Sequence, residues 1–393
     1  MKNSLNTAYL GLFLSGTASA ATAPYVSTVA LDVLEIPGSR YSLIVFASGI
    51  LSVCMSLGIG WASDMLPGRR TMIALLATVA GAGIGAFVLF GTVALFIMCC
   101  VLFLPFTSIL TQQFFGYLRS QSLGVDKLEA ENRNARGRTL FATAWVAAPG
   151  IFVVLPGVDP SRLAFATSAT ACLMAALLFS PLMGPSWDAP INAQSPSNTP
   201  EKSLIGTTVL MIIPLMGCGV LRAAPRLQQI LLGPIVTQEL HGAFAQIGYL
   251  AAFTELLELP LILMWGRLFR YVSRPTMLLI GSIMFSGYFV TLYFATSMTA
   301  IYVSSAVLAL ATSGTLSITI GYLQNLLPDQ PGLGSSLISV ANCIGVAIAA
   351  ATFAPFSDAK AFTSCALVAA VVVATGRAAI WLWETRSTSN ADG

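Results

Sequence analysis

Long apolar runs separated by short clusters of charge, proline and glycine dominate the chain. Cutting at those clusters leaves apolar segments at 7–31, 41–63, 71–91, 93–115, 139–156, 162–184, 204–232, 243–265, 276–295, 300–323, 334–356 and 361–383. Most are close to the roughly 20 residues a helix needs to cross the hydrocarbon core of a bilayer. The pattern predicts an all-α polytopic membrane protein of twelve transmembrane helices with short connections. Lys2, the apolar stretch 8–14 and the small residues Ala18, Ser19 and Ala20 imitate a cleavable secretory signal. Because the apolar pattern continues past Pro24 to Leu31, the first segment is expected to remain as a helix. The seventh segment is the least regular. It holds Pro214, Arg222, Pro225 and Arg226, and a break or a water-lined face is expected there.

Composition excludes an ordinary soluble enzyme. Of 393 residues, 56% are hydrophobic and only 9% charged, and the mean hydropathy is +0.81. Twenty prolines and 33 glycines are tolerable in membrane helices, where neighbouring helices and waters re-satisfy freed backbone groups. The net charge of +3 includes no basic patch large enough for nucleic acid. All seven cysteines (Cys54, Cys99, Cys100, Cys172, Cys218, Cys343, Cys365) lie in apolar runs without a CxxC pair and read as small buried hydrophobes. With a single histidine, His241, they suggest no zinc, haem or iron–sulfur site, and no cofactor is expected. Neither a Walker loop nor a GxSxG elbow occurs, so ATP-driven work and hydrolysis lack support.

Where the charges sit matters more than their sum. With the N-terminus inside, cytoplasmic loops and tails receive Lys2, Arg69, Arg70, Arg119, Lys127, Arg133, Arg136, Arg138, Lys202, Arg267, Arg270, Arg274 and Arg386, against Arg40, Arg162 and Lys360 on the other side. The positive-inside rule then predicts an even number of spans and two cytoplasmic termini. Residues 185–203 form a polar Pro/Ser linker that cannot bury apolar surface. It divides the chain into six-helix bundles at 1–184 and 204–393. GWASDMLPGRR (Gly60–Arg70) after segment two has a weaker echo in GRLFRYVSRP (Gly266–Pro275) after segment eight.

The first of these stretches resembles the Gly-x-x-x-Asp-x-x-x-Gly-Arg-Arg signature of the major facilitator superfamily, and falls where that family carries it, between spans two and three. A narrower resemblance runs over most of the chain, to the bacterial sugar efflux transporters of that superfamily. It is carried by Ala23-Pro24, by Gln113-Phe114-Phe115, and by Arg138 followed by Ala144-Trp145-Val146 and Pro149. Further along it is carried by Glu239-Leu240-His241, Leu257-Glu258-Leu259-Pro260, Tyr322-Leu323-Gln324, Leu327-Pro328 and Gly332. The resemblance implies proton-driven export of sugars or sugar analogues by alternating access across a bacterial inner membrane, and a monomer is expected. It also implies that the two halves rock about a mid-membrane site. The expected partners are a small-molecule substrate, protons and the lipid bilayer. Arg222, Arg226 and Glu255 depart from the resemblance by adding charge to spans seven and eight. A neutral sugar needs no paired arginines, whereas an organic acid or another anionic metabolite would use them. Export of such anions, or multidrug efflux, is the alternative.

Four groups of residues are candidates for the chemistry. Glu255 and Glu258 are spaced i, i+3 and share a helix face. Two buried like charges are costly, so one is expected to hold a proton and could couple its movement to transport. The other reading is a fixed ion pair with Arg222 or Arg226 that docks span seven on span eight. Arg222 and Arg226, i, i+4 around Pro225, form a substrate or proton site, unless Arg226 sits at the outer mouth and reaches water. Asp64, Gly68, Arg69 and Arg70 read as a cytoplasmic gate, or as plain topology anchors. Gln113, Trp145, Tyr322 and Asn342 could bind a sugar through amide hydrogen bonds and ring stacking, or simply join helices. His241 reads as a solvated loop residue. The charge asymmetry predicts that a reporter active only in the cytoplasm works when fused after Gly393, and that a periplasmic reporter fused there stays silent.

Overall fold

The computed structural model describes residues 2–65, 69–122, 125–154, 159–180, 204–268, 271–326 and 331–389. Among them the helices line up into twelve rods, one for each apolar segment. The first, α1, is Lys2–Thr22; after a turn at 23–25 it runs on through Val26–Thr28 and a π-helical turn at Val29–Val33. Pro24 causes the interruption, since it lacks an N–H and disfavours a helical conformation at Ala23. Next come α2 (Gly38–Met65), α3 (Arg69–Phe90) and α4, which joins Val93–Met98 to Leu104–Ser120 across a π-turn at Cys99–Phe103. They are followed by α5 (Lys127–Val154) and α6 (Pro160–Phe179). The second half has α7 (Leu204–Pro234, prolonged by a π-turn at Ile235–Glu239), α8 (Phe244–Leu268), α9 (Arg274–Tyr293), α10 (Met298–Leu326), α11 (Pro331–Ser357) and α12 (Phe362–Ser389). The predicted linker at 185–203 and Gly68 of the loop motif lie outside the described residues.

Two sequence expectations need correction. Span five is expected at 139–156, but α5 begins at Lys127. Its polar first turns are helical through propensity and the Glu129–Arg133 pair at 2.9 Å, which hydropathy does not register. The break expected in segment seven is absent: α7 runs unbroken through Pro214 and Pro225. Each proline removes one backbone hydrogen bond, and the close packing of α7 on α11 and α12 holds the rod together.

Nine stretches of the described residues are long and apolar enough to span a membrane by length and composition alone, one in each rod except α1, α5 and α7. Those three carry the polar N-terminal residues, the Lys127–Arg138 stretch, and Arg222 with Arg226. Four of the loops that follow odd-numbered rods, those after α1, α5, α7 and α11, are organised by carboxylates. Asp159 accepts from the Ser161 N–H at 2.9 Å at the start of α6. Asp358 accepts from the Ser39 N–H at 3.0 Å at the start of α2, and Glu239 from the Thr363 N–H at 3.0 Å at the start of α12. Each satisfies an N–H that the first turn of a helix leaves open. Asp32, in the π-turn ending α1, accepts from Thr237 Oγ1 and Gln238 Nε2 in the π-turn ending α7.

The described residues group into two compact units. One takes in those of Met1–Ala30, Ile50–Asn198 and Ile247–Ala252; the other takes in those of Leu31–Gly49, Thr199–Gln246 and Phe253–Gly393. In the first unit α1 packs on α4, α5 and α6, α3 on α4 and α6, and α5 on α4 and α6. In the second the same set recurs: α7 packs on α10, α11 and α12, α9 on α10 and α12, and α11 on α10 and α12. The first unit's core gathers Leu12, Ile73, Ala77, Ile109, Phe114 and Phe179, with Phe179 at 5.0 Å from Phe114 and 5.3 Å from Tyr117. Neither α2 nor α8 enters a close backbone pairing of this kind. Only 11% of the apolar window of α2 and 22% of that of α8 is buried, against 33–50% in the other seven.

What holds α8 is side-chain contact with α10. Trp265, 1% exposed, donates its indole N–H to the Leu310 carbonyl at 3.0 Å and lies flat on Gly314. A Cβ at Gly314 would fall 2.4 Å from the indole, so only glycine permits the contact. Gly314→Val should therefore cost about 1–3 kcal/mol by overpacking, read as a lower melting temperature in detergent. Gly287→Ala, whose added Cβ would be 4.0 Å from Val307, should change it little.

Candidate functional site

The charged candidates on α7 and α8 form two separate groups. On α8, Glu255 and Glu258 are both half-buried. Glu258 Oε1 accepts from the hydroxyl of Thr312 on α10. Thr312 Oγ1 also lies 3.0 Å from the carbonyl of Leu308, one turn back in its own helix. A hydroxyl is donor and acceptor at once. With Glu258 ionised, Thr312 donates to the carboxylate; with Glu258 protonated, the carboxyl O–H donates to Thr312, which turns its own hydrogen to Leu308. Either protonation state leaves every group hydrogen-bonded. Glu255 has no hydrogen bond or ion pair among the described residues, and Glu258 is its nearest acidic neighbour along the helix.

On α7, Arg222 is half-buried and Arg226 exposed. Arg222 Nε donates to Asn342 Oδ1 on α11 at 2.5 Å, a pairing across 120 residues. The helices meet there without a spacer: a Cβ on Gly345 would lie 2.7 Å from the Arg222 carbonyl carbon. Arg226 Nη1 donates to Gln229 Oε1 at 3.2 Å. Among the described residues neither arginine comes within 4.0 Å of a carboxylate, so the ion pair to Glu255 or Glu258 that the sequence allows is not formed. Arg222, Arg226 and Glu258 each rest on a neutral partner.

The other candidates are dispersed. Gln113 is 8% exposed on α4, and its neighbour Gln112 accepts from Ser56 at 3.0 Å. Trp145 on α5 stacks obliquely on Phe141 at 6.3 Å, and its buried indole N–H has no partner among the described residues. Both belong to the first unit. Tyr322 is half-buried on α10. Asp64 stands in the last turn of α2 and Arg69 opens α3. Arg70 reaches the end of α6, donating to the carbonyls of Leu178 at 3.0 Å and Phe179 at 3.3 Å, with its guanidinium 5.7 Å above the Phe179 ring. It thereby satisfies carbonyls that a helix C-terminus leaves open. His241 is exposed with φ of 51°.

Three residues escape the sequence reading. Thr312 is an ordinary helix residue whose partner lies 54 positions away. Asp32 is visible only as the first acid after segment one. Arg377, 0% exposed, donates to the Pro275 carbonyl at 3.2 Å and passes over Gly217. A single arginine inside segment twelve was its available signal.

Comparison with known proteins shows what these helices resemble. The profile of the Major Facilitator Superfamily matches residues 215–393. A protein of Deinococcus radiodurans assigned by inference to the sugar efflux transporters is 24% identical over 96% of this chain and 97% of its own length. Sugar efflux transporter C of Escherichia coli is 23% identical over 86% of this chain and 85% of its own. Among solved structures, the peptide transporter POT in complex with sulfate superposes with a TM-score of 0.81 at 11% identity, covering 98% of this chain and 94% of that one. The nucleoside transporter NupG gives 0.73 at 15% identity, covering 97% and 99%.

Asn342→Ala leaves the Arg222 Nε–H without its acceptor. The expected cost is about 1–3 kcal/mol, the penalty of an unsatisfied buried donor. The check is a fall in melting temperature that Asn342→Asp, which keeps an acceptor, avoids.

Proposed function

We propose that this chain, a membrane transporter with the major facilitator fold and not an enzyme, exports sugars or related small polar solutes in exchange for protons, with Glu258 carrying the coupling proton. The observation that bears the reading is the Glu258–Thr312–Leu308 relay. A carboxyl group at membrane depth is retained where it serves an ion route, and here its surroundings accept it both charged and neutral. Glu255, one turn away, adds a repulsion that favours holding at least one proton on the pair. Export of a sugar is suggested by the two named relatives, each similar over more than four-fifths of this chain.

In this reading the six-helix halves at 1–184 and 204–393 alternate access to the two sides of the membrane. The Asp64-x-x-x-Gly68-Arg69-Arg70 loop acts at the cytoplasmic entrance, where both termini also lie. Arg70, already seated on the end of α6, holds that loop to the α6 terminus. Gln113, Trp145 and Tyr322 supply neutral polar and aromatic contacts to the solute, and the protein works as a monomer.

Proton exchange has a definite sign. Proteoliposomes with an acidic lumen should take up solute as protons leave. Glu258→Gln should abolish this gradient-driven accumulation yet keep solute counterflow, which requires no net proton movement. Thr312→Val, which removes the hydroxyl at nearly constant volume, should slow proton-driven uptake by roughly tenfold or more, the scale of a lost hydrogen bond to a charge. Gradient-driven uptake by Glu258→Gln at the wild-type rate would sink the assignment.

A further inference from the structure

The two charged groups differ in one chemical respect. A glutamate can shed its charge by taking a proton; an arginine in a protein cannot give its proton up. A guanidinium at membrane depth therefore needs a counter-charge or a set of strong acceptors. Three other described arginines have them. Arg133 meets Glu129 at 2.9 Å, Arg162 lies 3.9 Å from Asp159, and Arg70 takes two helix-end carbonyls. Arg222 and Arg226 have one amide oxygen each, from Asn342 and Gln229, and among the described residues no carboxylate. They stand one turn apart on the same face of α7, so they repel each other until an anion joins them.

The geometry leaves the right atoms free. Asn342 occupies Nε of Arg222, and the terminal pair Nη1 and Nη2, the fork that grips two oxygens of a carboxylate or phosphate, makes no hydrogen bond to a described residue. The absence of a side chain at Gly345 seats the Arg222 backbone against α11, and the Asn342 contact fixes the side chain, so the fork is oriented before any solute arrives.

We propose that Arg222 and Arg226 form an anion site and that the exported solute is a sugar bearing a carboxylate or a phosphate rather than a neutral sugar. This rests on the exporter reading above and specifies its substrate class. Glutamate and arginine then divide the work: the acids on α8 carry the proton, and the cations on α7 carry the solute's charge.

The test is calorimetric titration of the purified full-length chain with glucose, glucuronate and glucose 6-phosphate. At least one acid should bind about tenfold or more tightly than glucose, the worth of roughly one charge-assisted hydrogen bond, and the margin should shrink as salt is raised. Arg222→Gln and Arg226→Gln should each narrow that ratio. Arg222→Lys, which keeps the charge and loses the fork, should lie between. Which acid leads tells carboxylate from phosphate. Acids that bind no more tightly than glucose, or not at all, overturn the site, and this comparison needs only the wild-type chain. So does a ratio that survives both glutamine substitutions. Proton-driven glucose uptake that neither acid inhibits overturns the anion site and leaves the exporter reading standing. Preferred acid binding without proton-driven uptake of any of the three upholds the site and overturns the exporter reading.

Discussion

Charge inside an apolar medium is the constraint from which the rest of this molecule follows. Water would solvate an arginine or a glutamate almost without cost, whereas a helix bundle must find each one a partner. The chain answers with acceptors drawn from distant sequence: Asn342 for Arg222, Pro275 for Arg377 and the α6 carbonyls for Arg70. Each contact ties two helices together as well as satisfying a donor. The few charged residues thus contribute to tertiary structure out of proportion to their 9% share of the composition.

Packing supplies the remainder. The same pairings among six rods recur in the two halves of the chain, and small residues let rods approach closely. The Trp265–Gly314 and Arg222–Gly345 contacts are the clearest cases, because the neighbouring group occupies the volume a side chain would need. α2 and α8, equivalent by order in their halves, stay outside these close pairings. α8 depends instead on Phe253 against Tyr302 at 5.5 Å, Glu258 with Thr312, and Trp265 with Leu310.

The rods were legible in the sequence because hydropathy reports what a bilayer selects. Every apolar segment corresponds to a helix; the membrane class follows from composition, and the transporter class from the family resemblance that the loop motif helps to carry. The polar start of α5 was not legible, since helix formation there follows i, i+4 pairing and propensity. Nor was the continuity of α7, where neighbouring rods override its prolines. At the candidate site, Arg222, Arg226, Glu255 and Glu258 stood out because charge within an apolar run is rare. Their partners did not. Asn342 and Thr312 are 120 and 54 residues away, and nothing in a single chain's periodicity names which polar residue across a helix interface will meet which charge. Arg377 is as conspicuous in segment twelve, but its acceptor, the Pro275 carbonyl, lies 102 residues away.

The three contacts of α8 with α10 are unequal in kind. The outer two are an aromatic pair and an indole-to-carbonyl bond, and neither changes with proton concentration between mild acid and mild base. The middle one joins a carboxyl group to a hydroxyl that has a second acceptor in reserve. α8 is in effect a beam pinned at both ends with an adjustable clamp between. A change in the protonation of Glu258 would reverse the direction of donation in the clamp and leave both end pins as they are.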